Sequence, residues 1–513
     1  MRRFLLVLLL ATALPASAAQ ADPYPVTSTD GVGVGSLRVA IEAANTHAGA
    51  DTIPIRATGT IELATALPTI TGEVAITGPG PQALTIARGA SAPSFRILDI
   101  GPSIAASVEG VAIQGGLARV GGGISSSSPL ELTDVVVTDN EAKDSGGVKA
   151  IARGGGIFCS SDLIVFESVI RGNRVMATGG SEESFATGGG IYATESQVIE
   201  RSTIAENLVQ ASAEGGTFAT AYGGGMRAFG SAVEIESSTI SGNSVAATGA
   251  TNLNFPAGGG IQGRVELTGS TVTRNSVAGG ENESGANLDL TLSIVRDTIV
   301  GEPLGNRDSC AGDFVSDGFN LDEDGSCGFG KSTDLVNVIA DLEPLASNGG
   351  PTPTHALGAD SAAIDRGDSF GSSVDQRGLP RPSDFSAISN TEGGDASDIG
   401  AFELQVPRPP VPESGGRVLV AAVSTDTTPP NTTIVSGPPR DSYQHKAKFR
   451  FVSTEAQSSF QCKVDLKPWR GCRNPYKRWV GPGKHVFKVR AIDRYGNVDQ
   501  TPARFGWRVK LLS

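Results

Sequence analysis

Side chains able to do chemistry collect in three places along this 513-residue sequence. Asp313, Asp317, Asp322, Glu323 and Asp324 crowd the stretch between Cys310 and Cys327. Hard carboxylate oxygens at that density suit Ca²⁺, with the site centred on Asp322. Their spacing is that of neither an EF-hand nor an RTX nonapeptide, so a solvated acidic loop is the simpler reading. Asp365, Asp375, Arg377, Arg381 and Asp398 form a second set, among turn signals at Asn348-Gly-Gly-Pro and Arg377-Gly-Leu-Pro. Charge pairing that closes the end of a fold explains them more simply than acid/base catalysis. The third set is Lys446, Lys448, Arg450, Lys488 and Arg490, alternating with apolar residues, with Trp469 and Trp479 in the same region. Cations beside indole rings suit an anionic polymer or polysaccharide, while a solvated or self-docked face is the competing reading.

Signatures of polysaccharide cleavage are missing. Glycoside hydrolysis needs two facing carboxylates, and β-elimination needs a base, usually Arg or Lys, beside metal-bound carboxylates. The sequence contains no Asp-Asp pair, no Gly-His-Gly and no Arg-Ile-Lys. Arg171, Arg201, Arg227, Arg264 and Arg274 have no acidic cluster at matching offsets. No catalytic partner for His47 or His445 is legible in the sequence, and His355 and His485 fall in structural contexts. No catalytic residue is assigned. The five cysteines fit an oxidising compartment, with local disulfides Cys310–Cys327 and Cys462–Cys472 and a buried, inert Cys159.

The elements that position these groups are repeats. Gly-Gly-Gly-Ile/Met starts at Gly121, Gly154, Gly188, Gly223 and Gly258, at spacings of 33, 34, 35 and 35 residues. Each block carries an Asn (Asn140, Asn173, Asn207, Asn243, Asn275) with Val or Ile three residues before it. Short β-branched runs cut by Gly and Asn are strands, and a repeat of this length holds too few for a propeller blade. One coil of a parallel β-helix fits. The Val/Ile column is then core, and the Asn residues form a stacked amide ladder at turns whose left-handed backbone Asn tolerates. No helix follows the Gly triplets, which excludes a phosphate cradle and a nucleotide cofactor. The 13 to 15 residues between each Asn and the next triplet read as loops or short hairpins along one side.

Before the repeats, Arg2-Arg3, the apolar run Phe4 to Leu14 and Ala19-Gln20-Ala21 read as a secretory signal peptide over residues 1–21, too short to span a bilayer. No later run is long enough for a transmembrane span, so a secreted or cell-surface protein is expected. Ser36 caps a short helix with Leu37, Ala40, Ile41 and Ala44 on one face, placed to cover the open end of the solenoid. Residues 22–118 are expected to hold this cap and irregular first coils, 119–300 the repeat coils, and 301–406 a closing module.

Three motif sets resemble known families. Gly35-Ser-Leu-Arg-Val-Ala-Ile-Glu-Ala-Ala-Asn with Asp51-Thr-Ile resembles the Cys-Ser-Leu-Arg-Glu-Ala-Ile motif of secreted bacterial right-handed β-helix proteins, departing from it at Gly35 and Val39. The Gly-triplet and Asn repeats resemble the same proteins and, more loosely, chlamydial polymorphic outer membrane proteins. Asn348-Gly-Gly-Pro-Thr-Pro-Thr-His-Ala-Leu, Ala363-Ile-Asp, Asp375-Gln-Arg-Gly and Asp398-Ile-Gly-Ala-Phe-Glu resemble the choice-of-anchor Q domain. These resemblances imply a surface location and bring no established reaction.

Beyond a Pro/Gly/Ser-rich linker at 407–428, the character changes. Residues 427–513 carry 17 Lys+Arg against 5 Asp+Glu, net +12, whereas the first 426 carry 24 against 49, net −25. Clean alternation around Phe449 and Phe487 predicts an antiparallel β-sandwich over 429–513 with a cationic outer face. Asp426-Thr-Thr-Pro-Pro-Asn and Arg490 to Asp499 resemble bacterial immunoglobulin-like or fibronectin-III-like modules. The expected fold is therefore all-β: a right-handed single-stranded parallel β-helix of the pectate-lyase-like kind, with an N-terminal capping helix and a C-terminal antiparallel β-sandwich. The expected role is a non-catalytic adhesin or stalk binding a cell-wall or extracellular anionic polymer or polysaccharide. The alternative is a polysaccharide lyase or glycoside hydrolase acting on the β-helix flank.

Overall fold

The structure is a computed structural model that describes residues 23–230, 233–280, 283–305, 307–405, 428–442, 446–455, 458–465, 470–472, 474–480, 483–492 and 497–510. Residues 1–21, expected from the sequence to be a signal peptide, lie outside these, as do His445, Trp469, nearly all of the linker and the side chains of Lys446 and Trp479. No helix among the described residues is long and apolar enough to cross a membrane.

Coils stack in parallel with strict register. In one repeat the strands Ile157–Cys159, Leu163–Phe166 and Val169–Arg171 form three sides of a coil. Ile157 aligns with Ile124 and Ile191, Val165 with Leu132 and Ile199, and Ile170 with Val137 and Ile204. Aliphatic side chains thus pile into columns, and the body strands merge into a 25-stranded sheet around one continuous core. At the N-terminal end the helix Leu37–Thr46 is capped by the Ser36 hydroxyl and turns Leu37, Ala40, Ile41 and Ala44 into that core.

Two features differ from expectation. The segments between each Asn and the next Gly triplet are not loops. They form two further parallel sheets, one of six strands including Arg174–Thr178 and Leu208–Ser212, and one of four including Glu183–Thr187 and Phe218–Tyr222. Their own core is almost all alanine: Ala142, Ala150, Ala152, Ala177, Ala186, Ala211 and Ala221 alternate inward with Val175, Val209 and Val245. Alanine carries little hydrophobic signal, yet its small volume lets two sheets close on each other.

The ladder asparagines also do not occupy the left-handed backbone region. The residue before each does: Asp139, Gly172, Glu206, Gly242 and Arg274 have φ between 55° and 66°. Each Asn instead points inward, fully buried. Nδ2 and the backbone N–H of Asn173 both donate to Asn207 Oδ1, at 3.0 and 2.9 Å, and Nδ2 also donates to the Val137 carbonyl. The pattern runs from Asn140 to Asn275 and on to a further member, Asn287. A parallel serine ladder lies five residues earlier, where Ser168 N–H donates to Ser202 Oγ, Ser202 to Ser238 and Ser238 to Ser270. The Gly triplets are required by close approach: a Cβ on Gly189 would lie 2.1 Å from the Gly224 carbonyl oxygen of the next coil.

The C-terminal unit is a sandwich of a three-stranded sheet (Thr432–Ser436, Lys446–Ser453, Tyr476–Trp479) and a five-stranded one that includes Ser459–Val464, Gly483–Ile492 and Ala503–Val509. Phe449 and Phe487 stack between the sheets with centroids 4.0 Å apart. Pairing is antiparallel except where Asp441–Ser442 runs parallel to Arg508–Val509.

Candidate functional site

The body coils present a flat flank between two ridges of turns. One strand of each coil forms the floor, with Val136 and Thr138, Val169 and Arg171, Thr203, Thr239 and Thr271 on successive rungs. The ridge after the floor carries Asp139, Gly172, Glu206, Gly242, Arg274 and Glu302. The ridge before it carries Asp134, Glu167, Arg201, Ser237, Gly269 and Asp297. All twelve have positive φ. A non-glycine residue there costs roughly 1 kcal/mol, which Gly172, Gly242 and Gly269 avoid. Charged side chains are therefore held on the rims against their backbone preference, the kind of outlier that marks functional surfaces.

The terminal module begins by continuing the stack, with Cys310–Gly318, Leu321–Asp322 and Leu335–Val336 laid on the last coils. It then folds back along this flank and covers the floor from Thr203 onward. Gln376 is buried at its centre. Its Oε1 accepts from Thr239 Oγ1 at 2.6 Å, and its Nε2 donates to Thr352 Oγ1 and Thr203 Oγ1. Thr203 Oγ1 donates to the Pro353 carbonyl, and Ala401 N–H donates to Thr271 Oγ1. His355 donates from Nδ1 to the Glu343 carbonyl at 2.6 Å, so its Nε2 accepts from Ser241 Oγ at 2.9 Å. That pairing needs the neutral ring, and burial pushes its pKa down.

All five members of the Asp/Arg set lie beneath or within this lid. Arg381 is fully buried, 2.6 Å from Asp297 of the ridge and 3.4 Å from Glu403. Arg377 pairs with Asp375 at 2.7 Å. Burial pushes Glu403 up to about 8 and Asp398 up to about 6, against the pull of Arg381, and drives Asp297 well above the usual carboxylate range. Asp365 accepts from the Phe385 N–H and donates its own N–H to Asp398. The charges join lid to flank.

Where the lid ends, a groove of about 1110 Å³ remains open. Ser347 and Gly350 to Pro353 of the module bound one end, and the turn Pro79 to Ala83 bounds the other. Its floor is Val136, Thr138, Val169 and Arg171, and its rims carry Asp134, Asp139, Glu167 and Glu206. Sequence reading missed this convergence of acids, although Asp134 and Glu167 lie six residues before successive ladder asparagines and Asp139 and Glu206 one before. The acids are engaged. Glu206 forms a two-pronged pair with Arg171 at 2.8 to 3.1 Å, Glu167 pairs with Arg201 at 2.9 Å, and Asp139 accepts from Gln114 and Thr138.

The cationic candidates are placed differently from expectation. Lys448 and Arg450 point away from the core on one sheet, and Lys488 and Arg490 on the other. Because Phe449 and Phe487 meet between the sheets, the two cation pairs face opposite sides, so one shared cationic face does not form. Alternation along a strand fixes inside against outside, not which sheet the strand joins. Around Asp322, carboxylates serve as turn caps: Asp322 accepts from the Cys327 N–H, Asp324 from Ser309 and Ser326, and Glu323 from Glu302 and Ala340. Among the described residues no group of three or more His, Cys, Asp or Glu is arranged to hold a metal ion. The disulfides Cys310–Cys327 and Cys462–Cys472 are formed, with Cα atoms 4.8 and 5.6 Å apart. Cys159 is buried in the core, which pushes its thiol up to about 12.

No family model and no curated protein matches this chain. Among solved structures it is similar to Geobacillus virus E2 ORF18, at 14% identity and a TM-score of 0.29, over 67% of this chain and 65% of that one. It is also similar to the Dettilon tailspike protein gp208, at 9% identity and a TM-score of 0.25, over 88% and 77% of the two chains. The chain spans slightly under two thirds of the first of these. Likenesses this weak carry no argument about function, which rests on the geometry.

Proposed function

We propose that this is an exported, surface-associated protein that binds an extended polysaccharide in the flank groove and does not cleave it. The observation that supports the binding reading is the groove itself: its floor spans two successive rungs, Val136 with Thr138 and Val169 with Arg171, and its rims carry acids from three coils. Polar rims over a half-apolar floor suit a sugar chain, whose rings offer apolar faces and hydroxyl edges. Acids outnumber bases on the lining, which favours a neutral or amino-bearing polysaccharide over an acidic one there. Anionic polymers of the cell wall or matrix would instead meet the outward cations of the sandwich, Lys448, Arg450, Lys488 and Arg490, on either side.

The non-cleaving reading draws support from the pairing of two of the four acids. A general acid must offer its proton to the substrate, and Glu167 and Glu206 are tied to arginines. The alternative, a hydrolase or lyase, draws its support from four carboxylates sharing one groove. Incubating the protein with neutral, amino-bearing and acidic polysaccharides, and measuring bound protein together with new reducing or unsaturated ends, separates the two readings.

A further inference from the structure

We infer that the β-helix carries a docking face for the chain's own basic sandwich, so that the two units form an intramolecular electrostatic clasp. The face is the body side adjoining the flank. Its outward rungs carry Glu109 and Glu131, then Glu200, Glu234, Glu236 and Glu266 on later coils. The register sets like charges side by side: Glu200 aligns with Glu236, and Glu234 with Glu266. Like charges on neighbouring parallel strands destabilise a sheet, and a cationic partner relieves that repulsion.

The partner is in contact. Arg478 of the sandwich forms an ion pair with Glu131, and Glu109, on the preceding coil, adds to the field at the same guanidinium. Glu73, one coil further back, lies within electrostatic range of His485. Arg478 sits opposite Ala447 in one sheet, and His485 lies two residues before Phe487 in the other, so both sheets contribute at one end of the sandwich. The two side chains are only 19% and 16% exposed, so reversing either charge leaves the other facing a like charge in a largely desolvated contact. Net +12 facing net −25 on one chain adds a long-range attraction that salt screens over about 10 Å at 0.1 M.

The full chain is measured by small-angle X-ray scattering at low and high salt, as wild type, Glu131→Arg, Arg478→Glu and the double charge swap. The clasp requires a larger radius of gyration in each single variant and in wild type at high salt, with the double variant returning to the compact value. Dimensions that ignore both salt and the single reversals overturn it, as does a double variant no more compact than its parents. Should a charge reversal prevent folding, the mild Arg478→Lys change treated with carbodiimide gives a second readout. A cross-linked peptide joining position 478 to Glu131 within one chain supports the clasp, and its absence contradicts it.

Discussion

Thr239 Oγ1 donates a 2.6 Å hydrogen bond to Gln376 Oε1, joining the floor of a repeat coil to a module 137 residues later. Gln376 is buried and makes several bonds at once, so removing it leaves the hydroxyls of Thr239 and Thr352 with fewer partners in a dry interface. Gln376→Ala is expected to destabilise the chain by roughly 2 to 4 kcal/mol, since each orphaned buried polar group costs about 1 to 3. Urea unfolding checks this, and a loss below about 0.5 kcal/mol would show that the lid is not held through this residue.

The lid should loosen as pH rises. Glu403 and Asp398 have folded-state pKa values of about 8 and about 6, against 4.5 and 3.8 unfolded. The folded state therefore binds more protons between these limits, and stability falls as pH climbs from about 4.5 to about 8. Asp324 and Asp395, whose values are lowered, act in the opposite sense below the ordinary carboxylate range. Glu403→Gln keeps the shape and removes the titration. Melting temperatures of both forms across this window are expected to diverge toward alkaline pH, with the variant gaining. Parallel curves would rule out Glu403 as the source.

Asn207→Ala interrupts the amide ladder at its middle. The N–H and Nδ2 of Asn173 lose their acceptor, and the Ile170 carbonyl loses its donor. A loss of roughly 2 to 5 kcal/mol is expected. A ladder that is dispensable would instead show the few tenths of a kcal/mol typical of a surface change.

Gly189→Ala and Gly330→Ala form a matched pair. Neither glycine has positive φ, yet a Cβ at 189 meets the Gly224 carbonyl oxygen at 2.1 Å while one at 330 meets nothing within 4 Å. The first is expected to cost more than about 3 kcal/mol or block folding, the second less than about 0.5. Equal effects would mean that coil stacking tolerates a methyl at the triplet.

Repetition made the solenoid legible in the sequence, because inward columns such as Val137, Ile170, Ile204 and Ile240 restate one pattern in every coil. The serine ladder was equally periodic, at Ser168, Ser202, Ser238 and Ser270, but serine is common in turns and did not stand out. The lateral sheets were hidden because alanine and threonine look like loop composition until two sheets pack. The lid could not be read at all: Gln376 to Thr239 and His355 to Ser241 are long-range pairs with no local periodicity. The groove followed the lid, since it is the part of the flank that the module leaves open. Charge alternation in the sandwich was real, but its two strands joined different sheets.

The most direct test of polysaccharide binding without cleavage uses the groove floor. Wild type and Thr138→Trp, which fills the floor, are incubated with the polysaccharide panel, and bound protein and new chain ends are measured together. The groove account expects wild type to bind at least one neutral or amino-bearing polysaccharide without producing new ends, and Thr138→Trp to lose that binding with its melting temperature unchanged. New ends accumulating with turnover, or binding that Thr138→Trp leaves intact, would contradict it.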